Sequence, residues 1–292
     1  MIVFQGESFA DVYKQSLTSL FKNPQYEASP REMKVKESLE VALVIENPRL
    51  SMYSNERRSS QYKYVAAELL WYFLGRKDVA YISKYAKFWE NIQNEDGTVN
   101  SSYGNLLFTN KNRYGQCQYE WAIQSLIKDK DSRQAIMHFN LPEHQYSTNK
   151  DFVCTMYGIF HIRNNKLHLT INMRSNDAIL GTATDIAFFT VLQQQALNHL
   201  KQYYSELTLG SYTHIVDSYH IYERHFNLVE DMIKTDFIPI EFPELTFDLI
   251  NQNGSPTDKL LMLNDHKDEM MCVSNDPVYM WIQNNIKDEV II

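Results

Sequence analysis

An α/β domain spanning residues 1–292 is predicted by two patterns and one absence. Short runs rich in β-branched residues with period-2 alternation predict strands. Longer runs with apolar residues three and four apart predict helices, and the two kinds alternate along the chain. The absence is of any internal repeat, low-complexity stretch or Pro/Gly-rich linker. The 9 Gly and 8 Pro are scattered over the whole length, so no shift in composition marks a boundary between domains.

Each element has its own warrant. Residues 8–22 (SFADVYKQSLTSLFK) carry apolar side chains at helical spacing. Residues 39–46 (LEVALVIE) alternate and are β-branched, which predicts a strand. Residues 61–75 and 78–93 predict two helices divided by Gly75, the first holding the aromatic run Glu68-Leu69-Leu70-Trp71-Tyr72-Phe73. Residues 114–128 predict another helix. Strand patterns follow at 133–139, 152–162 and 166–173, and the link Arg163-Asn164-Asn165 suits a hairpin turn. Residues 184–204 predict a long buried helix, with Ile186, Phe189 and Leu192 near one face. A strand over 207–217 and a helix over 221–234 complete the pattern. Beyond Asn251 the chain is polar and no periodicity decides its structure.

Composition narrows the function classes. The chain is 44% hydrophobic and 22% charged, as globular proteins are, which excludes a disordered or collagen-like polymer. It is long enough to bury one sizeable core. With 28 Lys and Arg against 36 Asp and Glu the net charge is −8. Such a chain lacks the basic face that general nucleic-acid binding needs. A few arginines in one cleft still suit a small anion. The three cysteines, Cys117, Cys154 and Cys272, show no CxxC spacing, so neither a disulfide framework nor a structural zinc is expected. No apolar run approaches ~18 residues, so no membrane span is expected. The opening MIVFQGESFADVYK lacks the character of a secretory signal. A reducing cytoplasm is the expected setting.

Several polar residues stand in apolar surroundings. Cys154 lies inside the strand pattern 152–162, where a free cysteine is most often a small buried hydrophobe. Asn172-Met173-Arg174-Ser175-Asn176-Asp177 closes a strand; it suits a solvated turn, or an arginine that favours a neighbouring thiolate. His220-Ile221-Tyr222 stands where a helix is predicted to open. Glu68, within an apolar helix, is either solvent-facing or buried with a raised pKa. None of these signals is specific alone.

In this order they are specific together. Glu68-Leu69-Leu70-Trp71 with Trp89 downstream is followed by Tyr103-Gly104, Asp131-Ser132-Arg133, Cys154, Arg174-Ser175-Asn176-Asp177, Leu180-Gly181 and His220-Ile221-Tyr222. The chain so resembles the thymidylate synthase superfamily over residues 60–235, and loosely over 30–60. The twenty residues from Cys154 to Arg174 match the family's spacing between nucleophile and phosphate-binding arginine. Three strings, Asp151-Phe152-Val153-Cys154-Thr155, Asn172-Met173-Arg174-Ser175-Asn176-Asp177 and Tyr222-Glu223-Arg224-His225-Phe226, are similar to the deoxycytidylate hydroxymethylase branch found in bacteriophages. Three departures from the synthases stand beside these matches. Val153-Cys154-Thr155 replaces a Pro-Cys-His, Ala183-Thr184-Asp185 replaces a Pro-Phe-Asn, and the chain ends Asp288-Glu289-Val290-Ile291-Ile292 where synthases carry a Met-Ala-Val-like tail.

The resemblance implies one domain with a central mixed β-sheet flanked by helices. It also implies an enzyme acting at carbon 5 of a pyrimidine nucleoside monophosphate, with 5,10-methylenetetrahydrofolate as one-carbon donor. Cys154 would add to ring carbon 6, a covalent strategy that activates carbon 5, and Glu68 would organise proton transfer. Arg174 and Ser175 would hold the phosphate, with Arg133 supplied by the second subunit of a homodimer and Arg31 as a further ligand. A second synthase arginine is here Gln134. Tyr103 and Asn176 would join the nucleotide site, His220 and Tyr222 would bind the sugar 3′-hydroxyl, and Asp177, Trp89 and Glu68 would face the folate. No metal is implied.

Asp185 occupies the position where the synthases read uracil with an amide. Cytosine presents an acceptor at nitrogen 3 and an amino donor at position 4, so a carboxyl sharing one proton with it makes two strong hydrogen bonds. The plainer alternative is that Asp185 caps the helix that follows. The expected reaction is conversion of dCMP to 5-hydroxymethyl-dCMP, in the cytoplasm of an infected host if the chain is phage-encoded. A dUMP hydroxymethylase, a methylase of dCMP or dUMP, and a CMP hydroxymethylase of nucleoside biosynthesis stay open. From other classes, a silent family member acting as a scaffold is opposed by the intact Cys154 and Glu68. An enzyme acting on polymeric nucleic acid is opposed by the charge of −8.

Overall fold

The structure is a computed structural model and describes residues 1–265 and 273–286. Cys272 and the ending 288–292 lie outside the described residues. In chain order the elements are β1 (Ile2–Gly6), α1 (Phe9–Lys22), β2 (Tyr26–Ala28), β3 (Val35–Ile45), β4 (Met52–Ser54), α2 (Tyr62–Phe73), α3 (Val79–Ile82), α4 (Phe88–Ile92), α5 (Gln118–Lys128) and β5 (Ile136–His138). There follow β6 (Thr155–Arg163), β7 (Lys166–Met173), β8 (Asn176–Asp177), α6 (Thr182–Lys201), β9 (Thr208–Tyr222), α7 (Phe226–Met232), β10 (Ile238–Ile240), α8 (Asp258–Asp265) and α9 (Pro277–Ile286). Two compact units form. One holds Met1–Ser60, Cys154–Gln193 and Thr208–Phe242; the other holds Gln61–Val153, Gln194–Leu207 and the chain from Pro243.

The first unit is a mixed sheet with strand order β1-β3-β9-β7-β6. The β1–β3 and β7–β9 pairs are parallel; β3–β9 and β6–β7 are antiparallel. A parallel pair needs a crossover of a dozen residues or so, and the chain supplies α1 for one and α6 for the other. Ser8 and Asp11 form a reciprocal capping box at the start of α1, which satisfies backbone donors the helix leaves open. Gln193 of α6 is fully buried and donates to the carbonyls of Leu167 and Gly210, 2.8 and 3.2 Å away. It thereby occupies acceptors where the β7–β9 register shifts between Leu167 and Leu169. β6 and β7 are joined by Asn164 and Asn165, at φ 51° and 55°, the left-handed pair that a two-residue hairpin requires.

The second unit is mainly helical. α2 is buried continuously from Val65 to Phe73, the pattern of a helix enclosed on all sides. α9 packs on it, with Trp281 edge-on to Tyr62 at 6.2 Å. Asp276, fully buried, caps α9 by accepting from Val278 N and Tyr279 N, while its other oxygen accepts from Thr246 N and Phe247 N.

Five predicted elements are corrected. The helix over 78–93 is two short helices, α3 and α4, because Asp78 caps a single turn and the chain turns again at 83–87. The helix over 114–128 starts at Gln118, with Cys117 as its cap. The strand over 133–139 shrinks to β5. Cys154 sits at a bend just before β6, not inside it. His220-Ile221-Tyr222 ends β9, since Tyr222 pairs with Val35 and His220 with both Glu37 and Asp177; the helical turn Glu223–His225 and α7 start only after it. Those partners are distant in sequence, which is why local periodicity missed them.

Candidate active site

The β6–β7 hairpin explains the interval between Cys154 and Arg174. An antiparallel hairpin returns the chain to the end at which it started. Arg174 N donates to Cys154 O at 2.9 Å, and Arg174 Nη2 approaches Cys154 Sγ at 3.4 Å. A guanidinium beside a half-exposed sulfur favours the thiolate, which is the nucleophilic form. The structure thus replaces the buried-hydrophobe alternative for Cys154 with a cysteine in contact with a cation.

Arg174 stands at the bend just after β7, and Ser175 leads into the two-residue strand β8, which lies parallel to the end of β9. This gathers the polar residues of the first unit at the carboxyl ends of a parallel pair, the end where backbone and side chains open toward a ligand. Asp177 Oδ1 accepts from Ile179 N at 2.8 Å and Leu180 N at 3.1 Å; Oδ2 makes no hydrogen bond among the described residues. His220 stands beside Asp177 in register, and its ring meets Tyr222 edge-on at 5.0 Å. Arg224 lies over the Tyr222 ring, 4.7 Å from its centroid. Arg31 is exposed, at φ 50° in the turn Pro30–Glu32 between β2 and β3.

Asp185 is the fourth residue of α6, which begins at Thr182, so it is not the helix cap. Its Oδ2 accepts from Asn176 Nδ2 at 2.7 Å. The other end of that buried amide, Oδ1, accepts from Thr182 Oγ1 and faces His214 Nε2 at 3.4 Å. His214 Nδ1 in turn lies 2.8 Å from Tyr212 OH. Burial holds the His214 imidazole down to about 3, so it is neutral. With Nε2–H toward the Asn176 oxygen, Nδ1 accepts from the tyrosine. Burial, and then the nearby Asp185 charge, hold the Tyr212 phenol well above its ordinary range. The row Tyr212, His214, Asn176, Asp185 therefore has one consistent donor direction, ending on the carboxylate. Gly181 leaves room for it: a Cβ there would lie 2.9 Å from Asn176 Nδ2.

The second unit carries the other named residues. Glu68 is 6% exposed, which decides between the two alternatives for it: the carboxyl is buried. Tyr64, one turn earlier on α2, donates to Glu68 Oε1 at 2.6 Å, and Tyr72, one turn later, donates to the same oxygen at 3.4 Å. Trp89 Nε1 donates to Tyr64 OH at 3.1 Å. Tyr103 stacks on Tyr72 at 5.2 Å. Gly104 packs so closely on the Tyr72 carbonyl that no side chain fits. Arg133 is exposed, in the segment before β5.

The first unit thus holds Cys154, Arg174, Ser175, Asn176, Asp177, Asp185, His220, Tyr222 and Arg31, and the second holds Glu68, Trp89, Tyr103 and Arg133. Sequence reasoning missed Tyr64, Thr182, Tyr212 and His214. Tyr64 had a signal, since it stands four residues before Glu68, one helical turn. No group of three His, Cys, Asp or Glu suited to a metal ion occurs among the described residues. No helix among them is long and apolar enough to cross a membrane.

Comparison with known proteins supplies the family. A thymidylate synthase family model matches residues 13–269. Deoxycytidylate 5-hydroxymethyltransferase of Enterobacteria phage T4 is 32% identical over 182 residues, covering 59% of this chain and 72% of the relative. Deoxyuridylate hydroxymethyltransferase of Bacillus phage SP01 is 29% identical over 258 residues, covering 84% and 65%. Among solved structures, thermostable thymidylate synthase A from Bacillus subtilis shares the fold with a TM-score of 0.65 at 21% identity, over 84% of this chain and 89% of that one. With a family model matched over most of its length, the chain belongs to the thymidylate synthase family, as a folate-dependent one-carbon transferase that takes its carbon from methylenetetrahydrofolate.

Proposed function

We propose that this enzyme is a deoxycytidylate 5-hydroxymethylase, and that its two compact units act together as one catalytic domain. The observation that carries the choice of base is the Asp185 carboxyl, locked by Asn176 at 2.7 Å. A carboxyl that shares one proton with cytosine satisfies both nitrogen 3 and the amino group. Uracil at the same place leaves polar groups mismatched, at roughly 1–3 kcal/mol each. The phage T4 relative, named for action on deoxycytidylate, supports this reading. The phage SP01 relative, named for deoxyuridylate and aligned over 84% of the chain, supports a second one, a deoxyuridylate hydroxymethylase.

In the proposed mechanism Cys154 attacks ring carbon 6 as the thiolate, with Arg174 stabilising its charge. Carbon 5 then becomes nucleophilic. The folate, when bound, supplies a carbon at the oxidation level of formaldehyde. Asp177 suits a donor-rich ring, since its Oδ2 is an acceptor not engaged by its own backbone; Trp89 is the second residue proposed to face the folate. Glu68 would take the carbon 5 proton through a water as the bond between the new carbon and the folate breaks; water would then add to the exocyclic carbon, losing its proton, and Cys154 would leave carbon 6 as the thiolate. Arg174 and Ser175 hold the phosphate, Arg133 reaches it from the second subunit, and Arg31 adds to it from its turn. Tyr103 and Asn176 help to shape the nucleotide site, and His220 and Tyr222 take the sugar hydroxyl.

A homodimer is part of the proposal. The sheet face away from α1 and α6 carries the row Val44, Thr213, Thr170, Ile159, paired in register across four strands and half-exposed. A flat row of this kind suits a second copy of the chain. Mass spectrometry of the products from dCMP, dUMP and CMP with methylenetetrahydrofolate tests the reading. Gain of one CH2O unit on dCMP is expected. Gain of CH2 means a methylase, and reaction on dUMP alone means the second reading.

A further inference from the structure

We propose that Tyr64 is a positioning residue that keeps Glu68 ionised and aimed. The inference rests on the role given to Glu68 above. The geometry is a short chain of donors: Trp89 Nε1–H to Tyr64 O at 3.1 Å, then Tyr64 O–H to Glu68 Oε1 at 2.6 Å. Tyr72 adds a longer contact to the same oxygen. A buried carboxylate with no donors would protonate. The phenol bond favours the charged form, because a hydrogen bond to an anion is shorter and about twice as strong as a neutral one. By accepting from the indole, the phenol becomes a better donor itself. The indole also fixes which way the phenol proton points, since Trp Nε1 can only donate.

Helix geometry makes this arrangement possible. Positions 64, 68 and 72 lie one turn apart on α2, so their side chains stack along one face. Trp89 gains a task besides facing the folate, that of holding the phenol.

Tyr64→Phe tests this, since it removes one oxygen and leaves the ring packing in place. Two readouts apply to the full-length protein. The first is the pH titration of the protonated-carboxyl infrared band of Glu68, assigned by its loss in Glu68→Gln; it needs neither substrate nor folate. The midpoint should rise by about one pH unit or more in Tyr64→Phe, and by less in Trp89→Phe, which only weakens the donor. The second readout is tritium release from carbon 5 of labelled dCMP and dUMP, which does not depend on whether the product is methyl or hydroxymethyl. The acid limb of the rate should move up in pH with the band. At neutral pH kcat should fall about tenfold or more, with KM for the nucleotide little changed. If the parent releases tritium from neither nucleotide, the proposed function fails, while the infrared titration still decides the role of Tyr64. Superimposable titrations in parent and Tyr64→Phe overturn the inference. So does a lower rate with an unshifted pH profile and a lowered thermal midpoint, which would make Tyr64 a packing residue only.

Discussion

Asn176 presents its NH2 to Asp185 because its oxygen faces Thr182 and His214, and that orientation dictates what a substitution would do. In Asp185→Asn the new amide would keep its oxygen on Asn176 and turn its NH2 outward. An outward NH2 donates to oxygen 4 of uracil; against cytosine it can still donate to nitrogen 3 but has no proton to give it, so carbon 6 is less electrophilic when Cys154 attacks. We predict that kcat/KM for dCMP falls by at least about tenfold and that for dUMP rises, with most of the dCMP loss in kcat; discrimination by hydrogen-bonding groups reaches roughly 10⁴ in favourable sites. Steady-state kinetics of parent and variant on both nucleotides check it. A parent that prefers dUMP, or an unchanged ratio, would sink the cytosine reading. Asp185 was legible in the sequence because it stands in a motif with fixed spacing. Its support was not. A histidine and a tyrosine two apart on a strand look like ordinary alternation, and only the fold brings His214 to Asn176. Tyr64 was hidden differently, in a stretch so aromatic that a phenol there reads as core.

Elements divide by whether their cause is local. The β6–β7 hairpin was legible because Asn164 and Asn165 supply the left-handed turn themselves. Once the hairpin is granted, Cys154 and Arg174 must meet at its open end. α1 and α6 were legible from their periodicity. The end of β9 was not, because its hydrogen bonds go to β3 and β8. α9 escaped for a related reason: what fixes its start is Asp276 capping it while tying down Thr246 and Phe247. That link predicts a stability effect. Asp276→Ala leaves several buried N–H donors without an acceptor and should cost about 3 kcal/mol or more, given 1–3 kcal/mol per stranded group. Asp276→Asn should cost less, since one oxygen remains. Chemical denaturation of the three proteins checks the order; equal midpoints would mean that α9 docks without its cap.

For the whole molecule, assembly and pH are the properties that bear on function. Light scattering should return twice the chain mass of 34.4 kDa. Inactive Arg133→Ala and Cys154→Ala chains, mixed and allowed to exchange, should regain activity, because one site in each hybrid pairs an intact Cys154 with the intact Arg133 of the other subunit. Absence of rescue in dimers shown to exchange would place Arg133 in its own subunit's site. The pH response follows from His214. Its folded value of about 3 lies below the ordinary ~6.5 of an unfolded histidine. Between those limits the unfolded chain holds a proton that the folded chain refuses. The stabilising effect of this refusal is complete above the upper limit and drains away as pH falls through the window. Burial also depresses His144, His161, His168 and His225, each pulling in the same direction. Thermal midpoints of parent and His214→Gln, compared from neutral pH down to about 4, should converge as the solution acidifies; a constant gap would contradict this. The residue that steadies the Asp185 carboxyl through Asn176 is thus also an acid fuse. In an acidifying compartment stability would drain from the fold through this buried imidazole, and a chain unfolded by its protonation would regain activity only on refolding.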